Sequence, residues 1–193
     1  MTPAIYHETN SGLMPVSVLD ERLRHREIHL IETIDAHTAA CIIAQIHYLE
    51  EQSSAPITII IDSPGGSVYD GLAVYDAVMA SPCAVNTVCT GIAASMASII
   101  FEAGTTRKML PHSAILIHDP LTMDAAGSAL SVQQISDRLM NLRNIMADIY
   151  SIRTGISRED ILTMTSTETL LNATEAVQKN FADAVIPYRK EEA

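Results

Sequence analysis

The sequence has no tryptophan and only 2 phenylalanines, and charged residues fill just 18% of its 193 positions. A chain so poor in charge has little with which to cover a solvent-facing surface, which points to surface buried between subunits. Positive charge is the scarcer sign: 12 Lys and Arg stand against 23 Asp and Glu, for a formal net charge of −11. The one basic cluster is the short stretch ERLRHRE at 21–27. That argues against nucleic acid as a partner. Cysteine is nearly absent as well. Cys41, Cys83 and Cys89 are odd in number and lack metal-site spacing, so they read as reduced, small apolar residues of a cytoplasmic protein. No apolar run reaches the length of a membrane span, and MTPAIYHETNSGLMP lacks the basic-then-apolar order of a secretory signal. Neither GxxxxGK[ST] nor GxGxxG occurs, so no nucleotide-phosphate loop is expected, and no cofactor.

What is present is 48% apolar residue content in an ordered succession of elements. REIHLIE (26–32) reads as a strand, followed by a helix opening at Asp35. PITIIID (56–62) is a continuous β-branched run, which suits a strand buried on both faces of a parallel sheet. SPGGS then turns the chain into a helix over 68–80. CAVNTVCTG (83–91) is a third strand, predicted to pass through a Gly turn into a helix that carries Ser95. RKML and SAILIHD (113–119) supply two more short strands. A long helix over 131–153, with Leu139, Leu142, Ile145, Met146 and Ile149 as its apolar stripe, ends at Gly155. Short helices near 157–164 and 172–180 and a closing strand DAVIP complete the pattern. Alternating strands and helices predict an α/β layered fold of mostly parallel strands. With no repeat, linker or composition break, residues 1–193 are expected to form one domain.

Two strand-to-helix junctions carry the chemistry. SPGGS (63–67) and TGIAAS (90–95) combine glycine with a helix N-terminus, where free N–H groups and partial positive charge gather. Each is either an oxyanion site or merely a tight turn. Ser95 is correspondingly either small packing filler or a nucleophile. A nucleophilic serine needs a general base, an orienter for that base and donors for the oxyanion. His7, His25, His37 and His47 lie in polar terminal or helical surroundings and read as surface or packing residues. His118 closes the strand AILIH, at a carboxyl end where α/β sheets place their sites. It is either the base or a capped strand-end histidine.

DSPGGSVYDGLAVYDAV, then VCTGIAASMAS, then SAILIHDPL together resemble the ClpP family of ATP-dependent serine proteases, in which SPGG, G-x-A-A-S-M and I-H-x-P follow in this order. The resemblance extends to ERLRHREIHL, RNIMADIYSIRTG and NATEAVQKNFADAVI, and so covers nearly the whole chain. It implies a ClpP/crotonase-like α/β fold with a protruding handle helix at 131–153 and an axial segment at 1–20. It also implies Ser95 as nucleophile, His118 as general base and acid, and the backbone N–H groups of Gly66 and Met96 as the oxyanion hole. Counting back four residues from Asn172 puts Glu168 where the family has its catalytic Asp. Glu168 is longer by a methylene; Asn172 is a weaker candidate orienter, and a solvated loop carboxylate is the bland reading of Glu168. The family's Asp-Arg pair before that position is Ser166-Thr167 here.

The function so implied is a serine endopeptidase that cleaves unfolded polypeptides inside stacked heptameric rings, fed by an AAA+ unfoldase of the ClpX, ClpA or ClpC type. The alternative is a weakly active or inactive ring subunit with a structural role in a mixed assembly. Acyl-CoA chemistry of the crotonase kind does not need a Ser-His pair, and Lys108, Lys179 and Lys190 offer no replacement for His118.

Overall fold

A computed structural model of the chain describes residues 4–10, 12–122 and 125–188. Within the first twenty residues, expected as an axial segment, β1 (Ala4–Thr9) and β2 (Gly12–Ser17) form a hairpin; residues 1–3 and 11 lie outside the described residues. Helix α1 (Val18–Arg24) follows directly, capped by Ser17, whose Oγ accepts from Asp20 N–H at 3.0 Å. The expected strand at 26–32 is therefore shorter. Arg26 turns the chain with φ 62, and β3 is Glu27–Leu30. Arg26 explains much of the basic cluster. Its guanidinium donates to the carbonyls of Leu49, Ser53 and Ala55 at 2.9, 3.1 and 2.6 Å, tying the end of a helix to the start of a strand. Arg22 pairs with Glu27. These cations stabilise the fold and carry no surplus positive field.

The main sheet has seven strands. Its path is β3, β4 (Ile57–Ser63), β5 (Val85–Ala94), β6 (Arg107–Met109) and β9 (Ala184–Val185), all parallel, with β7 (Ala114–Ile117) on β5 and β8 (Thr169–Asn172) antiparallel to β7. Helices α2 (Ala36–Gln52) and α3 (Val68–Ala80) occupy the predicted places, and Asp35 caps α2 by accepting from Thr38 N–H at 2.8 Å. The α/β reading with a mostly parallel sheet holds. The β-branched run of β4 is not buried on both faces, however. Ile57, Ile59 and Ile61 are wholly buried, while Thr58 and Ile60 are half-buried and Asp62 is exposed.

Strand β5 departs most from expectation. It does not end at a glycine turn but continues through Gly91 to Ala94, and Ser95 stands before the helix rather than within it. Gly91 is needed for a different reason: a Cβ there would lie 2.3 Å from Asp62 Oδ1. That carboxylate accepts from Ile92 N–H at 2.9 Å, beside the register shift between Ile61 and Ser63. Length lets β5 divide its partners. Thr87–Cys89 pairs with β6 and Ile92–Ala94 with β7, so the strand's carboxyl end emerges beside β7.

Helix α4 (Met96–Glu102) is buried at every residue, as an apolar helix in the middle of a core must be. The long α5 (Ala129–Thr154) starts two residues before the predicted helix and ends at Gly155, whose φ of 77 makes the left-handed cap. Its inner face is Leu142, Met146, Ala147 and Tyr150, whereas Ile145, Val132 and Ile152 are exposed. The expected stripe is thus divided between core and surface. Helices α6 (Arg158–Ser166) and α7 (Ala173–Gln178) flank β8.

Candidate active site

The site lies where β5 and β7 end side by side. In their register Ala94 pairs with Leu116, and Ser95 N–H donates to Leu116 O at 2.8 Å. Ser95 has φ 54 and ψ −125, a backbone region that residues with a Cβ seldom occupy. Holding it there costs about 1–3 kcal/mol, so neighbouring structure must impose it. The SPGG turn does part of that. Gly65 has φ 87, and a Cβ on it would meet Ala94 O at 2.5 Å, Ser95 Cβ at 2.7 Å and Met96 N at 2.9 Å. Only glycine lets the two turns lie against each other. Ser63, buried beneath them, donates to Glu32 O at 2.6 Å and accepts from Gly65 N–H at 3.2 Å.

The donors follow from the same geometry. Met96 is the first residue of α4, so its N–H has no acceptor within the helix. The bridge between Ile34 and the turn uses the Gly65 carbonyl and the Ser67 N–H, at 2.8 Å each, and leaves the Gly66 N–H out. Ser95 makes no side-chain capping bond to α4, so its hydroxyl is not spent on the helix.

His118 follows β7 directly and is half-buried. Its Nδ1 lies 2.7 Å from the backbone carbonyl oxygen of Asp119. A carbonyl only accepts, so Nδ1 carries the proton and Nε2 of the neutral ring keeps its lone pair. The Asp119 carboxylate is engaged elsewhere, with Oδ2 accepting from Arg143 Nε of α5 at 2.7 Å. Thr165 O receives the Asp119 N–H at 3.0 Å, which fixes the loop after His118.

Glu168 stands at the start of β8 with φ 51, exposed, and β8 pairs Thr169 with Ile117. The ladder stops there, and His118 and Glu168 are the next residues on either side of it. Both line an open cleft of about 270 Å³ with Asp119, Leu121, Thr165, Ser166 and Thr167. Among the described residues, no hydrogen bond joins Ser95 to His118 or His118 to Glu168. Bonds of this kind commonly tighten only around substrate. Asn172 is spent on a reciprocal cap: its side chain accepts from Glu175 N–H at 3.0 Å and Glu175 Oε2 accepts from Asn172 N–H at 2.9 Å. No group of three or more His, Cys, Asp or Glu among the described residues is arranged to hold a metal, and no helix there is long and apolar enough to cross a membrane. The contact of His118 with the Asp119 carbonyl is one that side-chain motifs had no means of revealing, because peptide orientation after a strand depends on what the loop packs against.

The sequence family closes the question of kinship. A model of the Clp protease family matches residues 11–189. The chain belongs to the Clp protease family. It is 36% identical over 196 residues to ATP-dependent Clp protease proteolytic subunit 2 of Synechococcus sp. (strain CC9605), covering 100% of this chain and 99% of that one. ATP-dependent Clp protease proteolytic subunit 1 of Synechococcus sp. (strain CC9902) gives the same identity and coverage. Subunit 2 of Parasynechococcus marenigrum (strain WH8102) is 36% identical over 192 residues, covering 98% and 97%. Within this Clp family chain the two glycine-bearing junctions and the histidine strand converge on one end of the sheet.

Proposed function

We propose that this chain is the proteolytic subunit of a Clp protease and a serine endopeptidase. The observation that carries the reading is Ser95, held in a strained turn between Gly65 and the carboxyl end of β7, with its hydroxyl uncommitted to the helix it caps. His118 Nε2 takes the Ser95 proton as Oγ attacks the scissile carbonyl. The oxyanion accepts from the Gly66 and Met96 N–H groups. On collapse His118 gives the proton to the leaving amine; water then attacks the acyl enzyme, passing its proton to His118, which returns it to Ser95 Oγ as the acyl–oxygen bond breaks and the acid product leaves. The Asp119 carbonyl keeps Nδ1 protonated throughout, and Glu168, in the same cleft, supplies negative charge to the imidazolium.

The substrate is an unfolded polypeptide, delivered by an AAA+ unfoldase into a chamber of stacked heptameric rings in the cytoplasm. Support comes from the relatives, which are named as subunits of ATP-dependent Clp proteases. Further support is the apolar surface of a single chain: Tyr69, Leu121, Leu130, Leu170 and Ile152 are all exposed. A second reading, a feeble ring subunit, draws on the missing bond between His118 and Glu168.

A fluorophosphonate probe followed by intact-mass and peptide mapping tests the chemistry. One adduct on Ser95, lost in Ser95→Ala and slowed by orders of magnitude in His118→Ala, is the expected result. An assembled protein that takes no adduct, or takes it elsewhere, would overturn the assignment. Native mass near fourteen chains of 20.9 kDa tests the assembly, and a single-chain mass refutes it.

A further inference from the structure

Beneath Ser95, in the core, two hydroxyls stand in series. Ser98 Oγ lies 2.6 Å from Ser95 O and 2.6 Å from the Tyr150 hydroxyl of α5, and both side chains are wholly buried. The direction of the chain follows from counting hydrogens. Ser95 O is a carbonyl and only accepts, so the single hydroxyl hydrogen of Ser98 goes to it. Tyr150 must then be the donor to Ser98 Oγ. Burial holds the Tyr150 hydroxyl far above its ordinary titration range, so it keeps that proton. Its ring is fixed against Phe181, with centroids 5.7 Å apart at 52°.

The carbonyl being held belongs to the peptide that links Ser95 to Met96. A trans peptide is planar, with C=O and N–H pointing in opposite directions. Pinning Ser95 O inward, by Ser98 N–H at 3.0 Å and Ser98 Oγ at 2.6 Å, therefore aims the Met96 N–H the opposite way, out of the core. Donation to the carbonyl oxygen also polarises the amide and makes its N–H a stronger donor, and hydroxyls in series reinforce one another.

We propose that Ser98 and Tyr150 are positioning residues for the oxyanion hole, fixing the plane of the Ser95–Met96 peptide and so the aim of the Met96 N–H. This rests on the reading of Ser95 as nucleophile and Met96 as oxyanion donor. Neither residue touches substrate. Their effect belongs to the transition state, because only there does a charged oxygen sit on that N–H. It also makes α5 a contributor to catalysis through one buried hydroxyl.

The test compares the parent with Tyr150→Phe, Ser98→Ala and the double variant. Active sites are first titrated with the fluorophosphonate, so that rates are per competent Ser95. Peptide hydrolysis then yields kcat and KM, and a peptide boronic acid reports binding of a tetrahedral oxyanion mimic. Losing an oxyanion donor outright costs about a hundredfold to a thousandfold; misaiming one is expected to cost roughly tenfold in kcat for Tyr150→Phe and more for Ser98→Ala. KM stays within about twofold, boronate affinity falls by the same factor as kcat, and the double variant is no worse than Ser98→Ala. Tyr150→Phe keeps the ring packing, so it carries the test even where Ser98→Ala does not fold. Unchanged kcat and boronate affinity in Tyr150→Phe, with or without a lower melting temperature, overturns the proposal alone. Failure of the parent to label at Ser95 overturns it together with the reading beneath it.

Discussion

His118 Nδ1 lies 2.7 Å from the backbone carbonyl oxygen of Asp119, while Glu168, just beyond the Ile117–Thr169 pair that closes β7 against β8, lines the same cleft. In the proposed mechanism the carbonyl selects the tautomer, and the glutamate contributes only charge, with no hydrogen bond to the ring. Glu168→Gln is thus expected to lower kcat about tenfold, far short of the roughly ten-thousandfold loss seen when a triad carboxylate alone sets the tautomer. Steady-state peptide hydrolysis decides this. A loss approaching the larger figure would mean that His118 turns to Glu168 in the working enzyme.

Asn172 and Glu168 separate cleanly by experiment. The Asn172 side chain is committed to the cap of α7, so Asn172→Ala is expected to cost about 1 kcal/mol of stability. The rate per titrated active site stays unchanged. If turnover drops as in the Glu168 variant, the capping assignment is incomplete.

Two glycines offer a graded comparison. Gly65→Ala places a Cβ 2.5 Å from Ala94 O in a residue with φ 87, and backbone atoms have no room to yield. A stability loss of about 1–3 kcal/mol from the dihedral alone is expected, with hydrolysis abolished as Ser95 is pushed aside. Gly91→Ala meets the end of the exposed Asp62 side chain instead, at 2.3 Å from Oδ1. That carboxylate can swing away, at the cost of its bond to Ile92 N–H. Thermal melts and hydrolysis should rank Gly91→Ala well above Gly65→Ala.

Glu102 makes stability depend on pH. It is fully buried, and burial pushes its carboxyl from 4.5 up to about 8 despite Arg107 Nη1 at 2.6 Å. The folded state therefore binds the proton more tightly than the unfolded state. Between about 4.5 and 8 the native chain holds more protons, so unfolding free energy falls as pH rises through that window and levels off above it. Glu102→Gln keeps an acceptor for Arg107 and should flatten the decline. Denaturant titrations at pH values across the window test this; a slope unaltered by the substitution would falsify the attribution to Glu102.

Periodicity and punctuation made much of the fold legible. The caps at Asp35 and Gly155 and the span of α3 lie where the residues put them, because local hydrogen bonding and left-handed glycine need no distant partner. The order SPGGS, TGIAAS, AILIH likewise marked the residues that meet at one sheet end, since parallel strands align their carboxyl ends. Other features depended on contacts between segments far apart in sequence. Gly91 looked like a turn but is held in a strand by Asp62, 29 positions earlier. The hairpin β1–β2 and the short β8 have weak alternation of their own and exist through their pairing partners. The split of β5 between two neighbours, the strained backbone of Ser95, and the Tyr150–Ser98 chain behind it likewise arise only when strands and helices pack. The residue types of the proposed site stand along the chain; which atom of His118 holds its proton, and which way the Ser95–Met96 peptide points, were decided by carbonyls whose directions only the packed fold imposes.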